Sequence, residues 1–487
     1  MRRSPLFLAA LATIVIVGSA RADVRLPKIF GDHMVLQQQT EAPVWGWADA
    51  GEEVTVTLGE AKASTKAGAD GKWMVKIKTP AASETALELV VKGTNELKLT
   101  DVLAGEVWIA SGQSNMEWSV AQSTNAAEEI KNANYPQIRM IKVGRNPSDK
   151  PLEDFEFVPN PKGATSGWAV CSPETAAPMS AVGLFFARKL NQELKVPIGM
   201  ISTNWGGTLA EAWTSHETLA SDPEWFGPIL ERDKQFKPGN PNQAGVLYNS
   251  MIQPLIPFAI KGAIWYQGES NVSRAEQYAK LFPAMIADWR KHFGQGDFPF
   301  LFVQLAPYIY DRAGMKDTGQ LPELWEAQLK TLTASPNTGM AVTTDIATIR
   351  NIHPPNKQDV GARLALWALA GSYGKSDLDY SGPLYDSMAI EGNKIRIKFK
   401  HAAGLKFDPS KPGEHFTIAG EDMKFVPAKA EIDGETIVVS SSDVAKPVAV
   451  RFGWTDTSEP NLFNGAGLPA SPFRTDSFPM VTADRRR

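Results

Sequence analysis

The chain has 487 residues, 43% of them apolar and 21% charged, with a formal net charge of −4. That balance supports sizeable buried cores and excludes disordered, collagen-like and polytopic membrane classes; at about 150 residues per domain the length accommodates roughly three domains. A slightly acidic chain with no long Lys or Arg run offers no attractive field to a phosphate backbone, so nucleic acid is excluded as a partner.

Met1-Arg2-Arg3 gives a positive start, Pro5 to Ala20 is almost wholly apolar, and Ala20-Arg21-Ala22 is a small-residue cleavage pattern. The run is short for a bilayer span, so residues 1–22 read as a signal peptide. No second run of about eighteen apolar residues follows, which leaves the mature chain free of the membrane. Cys171 is the single cysteine, which forbids an internal disulfide and a lipid-attachment site; it reads as a small buried hydrophobe. Export without disulfides points to a bacterial periplasm or exterior.

Residues 23–100 alternate with period two. Val54, Val56 and Leu58 are separated by Thr, and Trp73, Val75 and Ile77 by polar residues or Met74, with turns at Asp49-Ala-Gly51 and Ala69-Asp-Gly71. This predicts a small antiparallel β domain. From 101 to 384 short apolar strands alternate with helix-length amphipathic stretches: strands at Val107–Ala110, Ile198–Thr203, Gly262–Tyr266, Phe300–Leu305 and Met340–Thr344, helices near Ser180–Leu194, Ala275–Phe293 and Asn356–Ala370. Such alternation predicts a parallel sheet covered on both faces, with ligands beyond the carboxyl ends of the strands. Asn146–Lys162 reads as a surface insertion. Period two returns over 385–487, in Ile395, Ile397 and Phe399 and in Val448 to Phe452, predicting a second β domain.

Four segments fall just after the predicted strands. In Gly112-Gln113-Ser114-Asn115-Met116 the serine sits on a strand exit, where its hydroxyl can face a substrate and its N–H an oxyanion; the same turn suits a helix cap equally well. Gly206 and Gly207, in Thr203–Thr208, let backbone donors approach a ligand, or form a plain turn. In Trp265-Tyr266-Gln267-Gly268-Glu269-Ser270-Asn271, Gln267 can donate to an oxyanion and Glu269 can orient a base; a solvated loop is the bland reading. His353, stiffened by Pro354 and Pro355, can carry the serine proton, typically a 100- to 10,000-fold contribution; an exposed loop histidine is its alternative. A nucleophile, glycine donors, a carboxylate and a base on one sheet rim favour acyl transfer. No zinc or nucleotide-binding spacing is present, and no cofactor is called for.

Gly112–Met116 resembles the nucleophile block of the SGNH esterase superfamily, and the whole chain resembles the sialate O-acetylesterase family. The segments that carry the likeness are Phe30-Gly-Asp-His-Met-Val-Leu-Gln37, Trp265–Asn271, His353-Pro-Pro-Asn-Lys357 and Leu468-Pro-Ala-Ser-Pro-Phe-Arg-Thr475. The resemblance implies a flavodoxin-like α/β SGNH domain flanked by β-sandwich-like domains, and removal of O-acetyl groups from a sugar. It places the nucleophile on Ser114, the base on His353, and the oxyanion donors on the Ser114 backbone, Gly206, Gly207 and Gln267.

The chain departs from the superfamily at the acid: many members carry Asp three residues before the histidine, and here Arg350 stands there. Glu269 resembles the carboxylate of related acetylesterases, Asp345 is the second choice, and a backbone carbonyl can also orient an imidazole. A sugar carboxylate favours Arg350; neutral rings of acetylated xylan, xyloglucan or pectin would stack on Trp205, Trp213 or Trp265, with Asn271 as a polar contact. The rival from another class is a non-catalytic carbohydrate-binding protein. Nothing in the sequence fixes an oligomeric state.

Overall fold

The computed structural model describes residues 23–157, 167–311, 313–314, 316–410 and 413–486; the signal-peptide segment lies outside them, as does part of the surface insertion. The fold is α/β with flanking β sheets. Its central layer has seven strands in the order Thr338–Ala341, Phe300–Val303, Gly262–Tyr266, Glu96–Gly112, Ile198–Asn204, Tyr135–Lys142 and Ala169–Cys171. All pair in parallel except the last, which is antiparallel. Every residue of Ile198–Asn204 and Gly262–Tyr266 is buried, which explains their unbroken apolar or small-residue character: both faces are covered. Ala181–Leu194 packs against Lys357–Ser372, and Ala275–Phe293 against Gln320–Ala334.

Helix Ala275–Phe293 and strand Gly262–Tyr266 lie where the sequence pattern puts them. Strand Tyr135–Lys142 carries no comparable pattern, and helix Gln320–Ala334, with Leu321, Leu324 and Trp325 on one buried side, is an element beyond those expected. The expected boundary at 100/101 falls inside a strand. One strand, Glu96–Gly112, pairs with Ser83–Lys92 and Val35–Gln37 in its first part and with the central strands in its second. One apolar core accordingly runs from Val24 to Leu384, whereas the last segment has its own, from Ile395 to Phe473.

Cys171 is buried in the large core, and burial pushes its thiol up to about 12, as befits a packing residue. Among the described residues no helix is long and apolar enough to cross a membrane.

Candidate active site

The register sets the site. Gly112 is level with Asn204 on one side and Tyr266 on the other, so three chain segments leave the sheet at the same height. Gly112 has φ of +133°, and a Cβ there would lie 2.2 Å from the carbonyl oxygen of Tyr266. Only glycine passes that gap. Beyond it Gln113 N–H donates to Tyr266 O at 2.9 Å, and the chain turns into the short helix Ser114–Glu117. Ser180 fastens this turn to the next long helix: its hydroxyl donates to Met116 O at 2.6 Å and accepts from Gly183 N–H at 3.1 Å.

Ser114 and His353, 239 positions apart, meet with 2.8 Å between Oγ and Nε2. Trp118 stacks on the imidazole, with centroids 4.6 Å apart and planes 23° from parallel. His353 N–H donates to Asn351 Oδ1 at 3.0 Å, and both residues sit on the loop that follows the edge strand Thr338–Ala341. A hydroxyl within hydrogen-bonding reach of an imidazole is the geometry of a base-activated nucleophile.

Two of the expected oxyanion donors are engaged elsewhere. Gly206 N–H donates to Glu117 Oε2 at 2.9 Å, and Arg145 pairs with the other Glu117 oxygen, so this amide is occupied. Gln267 is fully buried and its amide nitrogen is used on Thr208 O at 3.1 Å and Asn271 Oδ1 at 2.7 Å. Both expectations are corrected: these donors brace the loops. Among the described residues, Ser114 N–H and Gly207 N–H make no hydrogen bond.

Asp345 is corrected as well, since Arg363 grips both its oxygens at 2.6 and 2.7 Å. Glu269 does reach the site, but its Oε1 accepts from Asn115 Nδ2 at 2.5 Å. Burial holds the Glu269 carboxyl above its ordinary range, opposed by the Asn115 hydrogen bond and the Lys357 ammonium.

The tryptophans divide. Trp213 and Trp265 are fully buried and pack edge to face with centroids 6.0 Å apart, so they are core residues and cannot stack on a sugar. Trp205 is half-buried beside the Ser114 turn, with the Arg145 guanidinium 5.5 Å from its ring centroid. Asn271 is buried and holds Ala210 N–H, Gln267 and Glu211, a structural role in place of the expected substrate contact. Arg350 is exposed on the segment leading to His353. Sequence reasoning missed Trp118, Asn115, Glu117, Arg145 and Lys357. Asn115 and Lys357 stood inside the quoted motifs, but no spacing rule gives them a partner.

The chain is similar to known carbohydrate esterases. Residues 104–368 match the family model described as carbohydrate esterase, sialic acid-specific acetylesterase. The sialate O-acetylesterase of Homo sapiens is 31% identical over 498 residues, covering 93% of each chain, and that of Mus musculus is 30% identical, covering 96% of this chain and 97% of the other. The crystal structure of a carbohydrate acetylesterase from Xanthomonas citri superposes with a TM-score of 0.84 at 38% identity, covering 94% of this chain and all of that one.

Proposed function

Because this chain belongs to the sialic acid-specific acetylesterase family of carbohydrate esterases, we propose that it removes O-acetyl groups from carbohydrates, acetylated sialic acids first among them, through an acetyl-enzyme on Ser114. The observation that carries this reading is the 2.8 Å contact between Ser114 Oγ and His353 Nε2 at the carboxyl edge of the sheet.

Ser114 Oγ attacks the acetyl carbonyl carbon while its proton passes to His353 Nε2. The carbonyl oxygen becomes an oxyanion within reach of the Ser114 and Gly207 N–H groups. Collapse breaks the bond to the sugar oxygen, which takes the proton back from His353, leaving acetyl-Ser114. Water then attacks the acyl carbon, again giving its proton to His353, and acetate departs as the Ser114 hydroxyl is restored. Residues 1–22 support action outside the cytoplasm, in the periplasm or beyond.

Acetate release from an acetylated sialic acid and from p-nitrophenyl acetate, by the wild-type chain and by Ser114→Ala, tests the reading. The variant is expected to lose activity on the order of 10,000-fold or more on both esters. Equal rates in both proteins would remove Ser114 from the chemistry, and an inactive wild type would favour the carbohydrate-binding alternative. Acetylated xylan, xyloglucan and pectin fragments in the same assay rank the substrates.

A further inference from the structure

We propose that Asn115, Glu269 and Lys357 are positioning residues that hold His353 against Ser114, with Asn115 as the joint between the nucleophile turn and the histidine loop. The proposal rests on the reading that Ser114 and His353 are the reacting pair, and concerns how that pair is kept in register.

Asn115 directly follows the nucleophile and is 1% exposed. Its side-chain nitrogen donates to Glu269 Oε1 at 2.5 Å and to the carbonyl oxygen of Ile352, the residue before His353, at 2.9 Å. Its oxygen accepts from Lys357 Nζ at 2.5 Å. Both amide protons and the amide oxygen are therefore engaged, and the surroundings allow one orientation. Turning the amide over would set NH2 against an ammonium, and an oxygen against a carboxylate and a carbonyl. One residue thereby ties together three segments that leave the sheet separately, at Gly112, Tyr266 and Ala341.

The histidine is held by two routes that meet at Lys357. Along the backbone, the Ile352 carbonyl is fixed by Asn115, and Pro354 and Pro355 remove most of the remaining freedom on the other side. At the ring, Trp118 stacks on His353, and the Lys357 ammonium lies 6.0 Å from the Trp118 centroid and 5.1 Å from that of Tyr266. Lys357 is fully buried as the first residue of its helix, a position where solvent would ordinarily receive a lysine.

Stability is a poor explanation for this arrangement. Two opposite charges buried on either side of an amide are often no better than well-packed apolar side chains of the same volume, because both must be desolvated. Burial drives the two groups toward neutrality, Glu269 upward and Lys357 down to about 7, so each depends on the other to stay charged. A chain that keeps two such groups around the residue next to its nucleophile gains alignment of the amide between them.

The test is kinetics of acetyl-ester hydrolysis by Asn115→Asp, Glu269→Gln, Lys357→Met and the Glu269→Gln/Lys357→Met double variant, with cooperative unfolding measured on the same preparations. Asn115→Asp keeps the shape but sets a carboxylate against Glu269 and abandons the Ile352 carbonyl. Its kcat should fall about 100-fold with KM within about 3-fold, the signature of a displaced base. Each single charge removal should lower kcat by roughly 10- to 100-fold. The double variant has no stranded charge and retains an oxygen at position 269, so it should recover at least about 5-fold over the worse single variant. Full kcat in folded Asn115→Asp, or losses confined to unfolding midpoint or KM, would overturn the proposal while leaving Ser114 and His353 in place. If Asn115→Asp does not fold, multiplicative losses in the double variant overturn it instead. Loss of the parent reading is separately visible as an active Ser114→Ala.

Discussion

Replacing Gly112 by alanine probes the feature that lets the nucleophile leave the sheet. At φ of +133° an L side chain is strained, which costs about 1–3 kcal/mol. The added Cβ would also lie 2.2 Å from the Tyr266 carbonyl oxygen, 2.7 Å from its carbon and 2.9 Å from its nitrogen. These are backbone atoms of a paired strand and cannot rotate aside, so overpacking adds about 1–3 kcal/mol. Together the loss of stability should be about 2–6 kcal/mol by urea unfolding. Relief requires the Ser114 turn to move away from Tyr266, and a displacement of about 1 Å at the nucleophile costs roughly 100-fold in kcat. Gly207→Ala is the internal control: its φ is +76°, but nothing lies within 4 Å of the new Cβ, so the cost should stay near the lower end of the strain range, about 1 kcal/mol. A Gly112→Ala protein within about 1 kcal/mol of wild type and with undiminished kcat would refute this account of the strand exit.

Trp205→Ala should raise KM at least about 3-fold for acetylated oligosaccharides and leave that for p-nitrophenyl acetate unchanged, whereas Trp213→Ala should cost about 3–5 kcal/mol in urea unfolding with no such selectivity. Asp345→Asn breaks the two-pronged contact with Arg363 and should lower stability by about 1–3 kcal/mol, with kcat within about 3-fold of wild type in steady-state assays. Lys357 supplies a pH signature. Its folded value is pushed from 10.5 down to about 7, so across that interval the unfolded chain binds a proton that the folded chain does not, and this residue makes stability rise with pH. Urea titrations at pH 7 and 9 should show a smaller rise for Lys357→Met than for wild type; an identical rise would place the ammonium in solvent.

The parts of the fold that were legible in the sequence are those whose burial pattern is one-sided or complete. Ala275–Phe293 has a buried stripe beside charged positions, and Gly262–Tyr266 is an unbroken buried run; both read directly. Tyr135–Lys142 was not legible because Pro136, Gln137 and Arg139 interrupt it: the buried Arg139 is satisfied by Asp101, 38 positions away, and by the carbonyl of Pro136. That a strand runs across 100/101 was not legible for a related reason. Polar alternation ends near Thr100 while the strand continues, and only its neighbours change.

At the site, residue type and position after a strand raised Ser114 and His353 as candidates beside blander readings, and the family resemblance singled them out. Neither source could distribute hydrogen bonds. Gly206 and Gln267 carry donors of the right kind, but Glu117, Thr208 and Asn271 use them, and those partners are set by loop packing. Asp345 was lost in the same way to Arg363, eighteen residues downstream on the next helix. The tryptophans show the same limit, since composition alone cannot separate an indole that faces a sugar from one enclosed by Trp289 and Phe282.

The central claim is a covalent acetyl group on Ser114, and rapid quenching during turnover of an acetylated sugar, followed by mass measurement of the peptide that carries residues 112–117, tests it most directly. The account predicts an acetyl adduct on that peptide in the wild-type chain and none in Ser114→Ala. Turnover at the wild-type rate by Ser114→Ala, or an adduct on some other peptide that forms and decays at the rate of turnover, would contradict it.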